Sequence, residues 1–199
     1  MILTIWTDGG GGISSVNGPQ AAAYVAQTHD GIYLGSKSTC LTGTNNDAEY
    51  IGVLLALKDL LAGEIFPVAE IERVYFMSDS MLIVNHINGN WRCKFPTLRV
   101  HLEKIQAIRK LLLFPTHFAH KKRDFNKNAD RLCAAAMAYG PKTIFTDPIP
   151  SDPRKKRGKT DVRNTEPCNT RDTESIYDIA RRVSDAARSV EPGEQRLSG

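Results

Sequence analysis

Four carboxylates in this chain stand in settings that can gather them at one place. They are Asp8 in Thr7-Asp8-Gly9, Glu49 in Thr44-Asn45-Asn46-Asp47-Ala48-Glu49, Asp79 in Ser78-Asp79-Ser80 and Asp130 in Asn126-Lys127-Asn128-Ala129-Asp130. Carboxylates drawn from distant stretches repel one another, and burial sharpens the repulsion. A shared pocket therefore calls for cations, and four acids suit two hard divalent ions, Mg2+ with Mn2+ as a substitute. Two such ions serve phosphodiester chemistry by activating a water and stabilising a leaving oxygen. Each acid also has an ordinary role open to it. Asp8 before Gly9 suits a turn, Glu49 the first turn of a helix, Asp79 a helix N-cap, and Asp130 a surface pair with Arg131 or Lys127.

The elements that must position these acids follow from periodicity. Residues 2–7, 21–27 and 31–41 read as three strands, with Gly9–Gly12 and Asn17-Gly18-Pro19 supplying the turn between the first two. From Asp47 the period changes: Tyr50, Val53, Leu54, Leu57, Leu60 and Leu61 mark a helix that Gly63 ends. Val74-Tyr75-Phe76-Met77 is a short strand running into Asp79, and a helix through Leu82, Ile83, Val84 and Ile87 follows. A third helix opens at Phe95-Pro96-Thr97 and runs through Leu98, Leu102, Ile105, Ile108 and Leu112. Thr116–Lys121 is a last strand. Asn126 is placed to cap a final helix carrying Leu132, Ala135, Ala136 and Tyr139 up to Gly140-Pro141. Three consecutive strands make an antiparallel meander, and strands separated by helices add in parallel. The fold class is α/β: a mixed five-stranded sheet with helices on both faces. It puts Asp8 and Asp79 at strand ends, and Glu49 and Asp130 near helix starts, where α/β sheets collect their sites.

At 199 residues and 41% hydrophobic content the chain has enough for one packed core, and no apolar run approaches the ~18 residues of a membrane span. Ile2-Leu3-Thr4-Ile5-Trp6 begins a strand with no basic leader before it, so the expectation is an intracellular protein, cytoplasmic or nuclear, and not a secreted one. Cys40, Cys93, Cys133 and Cys168 form no C-x-x-C pair and read as free thiols. The net charge of +4 is concentrated usefully: His117, His120, Lys121, Lys122, Arg123, Lys127 and Arg131 surround Asp130.

Residues 1–145 are the expected catalytic domain. Beyond them, 146–199 read as a polar, largely disordered tail: Asp147-Pro148-Ile149-Pro150, then Arg154-Lys155-Lys156-Arg157 as a nuclear address, a phosphate contact or a solvated patch. An amphipathic helix is expected at about 174–190, on Ile176, Ile179, Ala180, Val183, Ala187 and Val190.

The motifs as a set resemble ribonuclease H type 1. Ile5-Trp6-Thr7-Asp8-Gly9-Gly10 is similar to the family's strand ending in T-D-G, and Thr44-Asn45-Asn46-x-x-Glu49 to its T-N-N-x-x-E helix. Ser78-Asp79-Ser80 resembles the third motif, Arg123-x-x-Asn126-x-x-Ala129-Asp130-x-Leu132 the fourth, and Gly18-Pro19 the first turn. The match runs from Ile2 to about Tyr139. It departs from the bacterial pattern, which has a flexible loop with a catalytic histidine before the last acid. The short basic interval Lys121–Asn126 looks more like the archaeal and plant-like branch, or the ribonuclease H segment of a retroelement polyprotein. His120 is either a stand-in for that histidine or a structural residue. Only Asn90-Trp91-Arg92-Cys93-Lys94 stands where a basic protrusion would lie.

The resemblance implies a metal-dependent endonuclease that cuts the RNA strand of RNA–DNA hybrids with two Mg2+ ions. Asp8, Glu49, Asp79 and Asp130 are then catalytic residues and metal ligands. Gly9, Gly10, Asn45, Asn46, Arg123 and Asn126 are expected to contact nucleic acid, the asparagines and glycines near a ribose 2′-hydroxyl and Arg123 at phosphate. The expected state is a monomer, free or part of a larger reverse-transcriptase polyprotein. The alternative is a catalytically idle module of this fold, kept in a retroelement-derived polyprotein to bind nucleic acid.

Overall fold

The computed structural model describes residues 1–11 and 18–140, together with the backbone of 143–144. The expected tail, its basic run and its amphipathic segment lie outside the described residues, as does Cys168.

The chain order is β1 (Ile2–Gly11), β2 (Gly18–Thr28), β3 (Tyr33–Gly43), α1 (Asn45–Leu61), β4 (Arg73–Ser78), α2 (Met81–Ile87), α3 (Pro96–Leu111), β5 (Thr116–His120), α4 (Lys127–Tyr139) and β6 (Thr143–Ile144). These strands form one sheet in the order β5-β4-β1-β2-β3-β6. β1, β2 and β3 pair antiparallel, and β4 and β5 add in parallel beside β1. The mixed five-stranded sheet is as expected. A sixth strand of two residues extends it at the β3 edge, pairing Ser36 with Ile144 and Lys37 with Thr143.

Alternation along the central strands sends side chains to two cores. Leu3, Ile5, Tyr24 and Ala26 join α1 (Val53, Leu57, Leu60) and α3 (Ile105, Ile108) in the larger one. Ala21, Ala23 and Val25 meet Ala129, Leu132, Cys133 and Ala136 of α4 on the other face, where small side chains on both surfaces let helix and sheet approach closely. α1 lies between the sheet and α3, which is why it is apolar nearly all round. Its one deeply buried acid outside the candidate site, Asp59, accepts from the Tyr24 hydroxyl at 2.6 Å and from Lys37 Nζ at 3.0 Å.

The first turn corrects an expectation. Gly9, Gly10 and Gly11 do not turn: they continue β1, opposite Ala22, Ala21 and Gln20 of β2. Gly9 stays in the strand because α1 rests on it. A Cβ added there would stand 2.1 Å from the backbone nitrogen of Glu49, so only glycine permits the packing. No helix among the described residues is long and apolar enough to cross a membrane.

Candidate metal centre

The site forms where β1 and β4 part. The two strands run in parallel register as far as Thr7 opposite Ser78, and β5 ends at the same level with His120 opposite Ser78. Past that level β4 stops while β1 continues with β2, so the next residues of each strand, Asp8 and Asp79, stand at the opening. α1 supplies Glu49 from above. Thr44 caps this helix reciprocally with Asp47, accepting from its backbone N–H while the Asp47 carboxylate accepts from the Thr44 N–H. Gly52, one turn past Glu49, seats the helix on β1, since a Cβ there would lie 2.8 Å from the Asp8 carbonyl oxygen.

Asp8, Glu49 and Asp79 each offer a carboxylate oxygen within 4.8 Å of the others. Asp8 and Glu49 are buried, and Asp79 is half-buried. Burial, with the charges of Asp79 and Asp130 adding to it, pushes the Asp8 carboxyl up to about 8. Glu49 is held well above the usual carboxylate range by burial and by the charges of Asp8 and Asp79. Arg123 opposes both shifts. The Glu49 Oε2 atom is buried and has no hydrogen-bond partner among the described residues. An orphaned acceptor among converging carboxylates lacks positive charge, and a hard divalent cation supplies it. The donor set therefore fits such an ion.

Asp130 lies beside this group. It is close enough to raise the proton affinity of Asp8, but its Oδ1 atom accepts from Arg123 Nη2 at 2.6 Å. The ordinary roles open to Asp8 and Asp79 are not the ones seen. Asp8 is in a strand, and the cap of α2 is Ser80, which accepts from the Ile83 N–H. Asp130 accepts from Arg123, and Arg131 donates to Asn128 Oδ1.

Two residues expected at the nucleic acid face inward. Gly9 is buried under α1, so its role is packing. Asn126 is 1% exposed; its Nδ2 donates to the Thr7 carbonyl at 2.9 Å and to Asp79 Oδ1 at 3.1 Å. It stands at the N-cap position of α4 without a side-chain capping bond, because that side chain is committed elsewhere. Asn45 and Asn46 lie in the first turn of α1, the first exposed and the second half-buried. Gly10 is half-buried beside them, with Asn45 Oδ1 3.5 Å from the place its Cβ would take. His120 is exposed at the end of β5.

Sequence reasoning missed Gly52 and Cys133. The Cys133 thiol is kept protonated by burial and by the neighbouring acids, and it donates to the Asp8 carbonyl oxygen at 3.5 Å. A glycine inside an apolar helix was the available signal for Gly52. Cys133 gave none.

A family model described as reverse transcriptase-like matches residues 7–136. The bifunctional protein Rv2228c of Mycobacterium tuberculosis is 29% identical over 155 residues, 76% of this chain and 40% of that protein. The uncharacterized protein YpeP of Bacillus subtilis is 30% identical over 97 residues, 48% of this chain and 41% of that one. The chain thus spans about 40% of the length of these relatives. Among solved structures, the N-terminal RNase H domain of Rv2228c from M. tuberculosis superimposes with a TM-score of 0.60 at 28% identity, over 68% of this chain and 93% of that one. LC11-RNase H1, in complex with an RNA/DNA hybrid, does so with a TM-score of 0.58 at 32% identity, over 64% and 91%. Fold, acid placement and family match agree: this chain belongs to the ribonuclease H type 1 family.

Proposed function

We propose that this domain is a metal-dependent endonuclease that hydrolyses the RNA strand of RNA–DNA hybrids. The observation that carries the reading is the convergence of Asp8, Glu49 and Asp79 with a buried, unpartnered Glu49 oxygen among them. The relative solved with an RNA/DNA hybrid supports the substrate class.

Asp8, Glu49, Asp79 and Asp130 would hold two Mg2+ ions, with Asp8 serving both and Mn2+ as a substitute. Bound divalent cations supply the charge that activates a water against the phosphodiester and stabilises the leaving oxygen. The chain's own residues do the rest. α1 fixes Glu49 by its capped first turn and by its seat on β1, where Gly9 and Gly52 allow the close approach. Asn45 and Asn46, at the mouth of the site beside Gly10, meet the minor-groove edge of the hybrid, where a 2′-hydroxyl separates RNA from DNA. Arg123, on an exposed turn, neutralises Asp130 and reaches backbone phosphate, which positions the duplex without reading its sequence. No side chain serves as a covalent nucleophile.

The experiment is cleavage of a hybrid labelled on one strand at a time, in Mg2+. Fragments of the RNA strand alone are expected. Equal cutting of the DNA strand contradicts the substrate assignment.

A further inference from the structure

The site's acids come from three separate stretches of backbone besides α1, and one buried side chain joins all three. Asn126 precedes α4 and stands four residues before Asp130. Its amide nitrogen donates to the carbonyl of Thr7, the residue before Asp8, at 2.9 Å and to Asp79 Oδ1 at 3.1 Å. Both partners are pure acceptors, so the amide orientation is determined and both of its N–H groups are used. The cost falls on the other end: Asn126 Oδ1 is buried with no hydrogen-bond partner among the described residues. A buried amide chosen for stability alone would pair its oxygen as well, because an unpartnered buried acceptor is unfavourable. The residue is kept for its two donors.

Those donors have a specific consequence for Asp79. The oxygen that accepts from Asn126 is held on the β1 side, and rotation of the carboxylate about its last bond would break that hydrogen bond. Asp79 thereby meets Asp8 and Glu49 with a defined oxygen. The same bond network ties the start of α4 to the end of the β1–β4 pair, so Asp130 is registered against the other three acids. A serine or threonine hydroxyl has one proton and satisfies one of the two acceptors. A carboxylate would turn oxygen toward oxygen.

We propose that Asn126 is a positioning residue for the metal centre: it presets the Asp79 carboxylate and the register of α4, and so sets divalent-ion affinity without touching the nucleic acid. This inference rests on the reading of the acids as metal ligands. Groups that orient ligands from behind typically alter metal affinity by about tenfold or more when removed.

The test uses the full chain. Mn2+ binding is measured by calorimetry on wild type, Asn126→Ala and Asp8→Asn, at a temperature where each is folded by circular dichroism. Cleavage of the hybrid is followed in parallel as a function of Mg2+ and of hybrid concentration. Asn126→Ala is expected to bind Mn2+ about tenfold more weakly and to need correspondingly more Mg2+ for half-maximal cleavage. Its KM for hybrid at saturating Mg2+ should match wild type. If alanine prevents folding, Asn126→Ser fits the same space, keeps one donor, and should fall between wild type and that loss. Wild-type Mn2+ affinity in a folded Asn126 variant, even one of lower melting temperature, overturns the proposal. A raised KM at unchanged metal affinity also overturns it, because Asn126 would then face substrate. If wild type and Asp8→Asn alike fail to bind Mn2+, the metal-centre reading itself falls, and the proposal with it.

Discussion

Asp8 shows most directly how charge and burial trade against each other in this site. Its carboxyl is pushed up to about 8, against about 4 for an exposed aspartate. A carboxyl with a raised folded-state value favours the fold when protonated. Metal-free stability should therefore decline as pH rises past the unfolded value, with the loss complete above about 8. Asp8→Asn keeps the shape and removes this term, so its melting temperature without metal should exceed wild type, by a margin that widens from pH 5 to pH 8.5. A constant margin contradicts the desolvation argument. Arg123 should act in the opposite sense. Its guanidinium pairs with the cluster through Asp130, and it lowers the proton affinity of Asp8 and Glu49. Arg123→Ala should melt lower than wild type at pH 8 without metal, and saturating Mn2+ should narrow the gap. Melting curves with and without Mn2+ decide it. The four acids are legible in the sequence because each sits in a short motif tied to an element boundary. The inward turn of Asn126 is not legible, since the motif that announces an N-cap residue is the same whether its side chain caps the helix or crosses to another strand.

At the scale of elements, the site depends on how α1 meets β1. Gly9 faces the backbone of Ala48 and Glu49, and Gly52 faces that of Asp8 and Ala23. Gly9→Ala places a methyl group where the Glu49 backbone is, so the helix must lift. We expect a loss of about 1–3 kcal/mol in stability by denaturant unfolding and a larger relative loss of metal-dependent cleavage, because Glu49 moves with the helix. Wild-type cleavage in Gly9→Ala contradicts the contact. The helices α1, α3 and α4 are legible because their apolar residues recur with helical period and their ends carry Thr44, Pro96 and Gly140. The run Gly9–Gly11 reads as a turn because glycine clusters ordinarily break strands. Here tertiary packing overrides the local preference: β2 pairs with the run, and α1 covers its first residue. β6 has only two residues, too few for any period to show.

For the whole molecule, the acids and both cores lie before Gly140, and the last described strand ends at Ile144. Truncation after Thr146 should leave melting temperature and cleavage at saturating substrate unchanged. It should weaken hybrid binding, most at low salt, since Arg154–Arg157 offers screened contacts to phosphate. A truncated protein that fails to fold would mean that the segment around Ile176–Val190 packs on the domain. The central claim is tested most directly by one side-by-side assay. Wild type and Asp79→Asn are incubated with RNA–DNA hybrid, double-stranded RNA and double-stranded DNA, in Mg2+ and in EDTA. The expected result is cleavage of the hybrid alone, in Mg2+ alone. Asp79→Asn should be slower by about a hundredfold or more, as loss of several kcal/mol at about 1.4 kcal/mol per decade requires. Cleavage in EDTA, comparable cutting of all three duplexes, or an undiminished Asp79→Asn rate would contradict it.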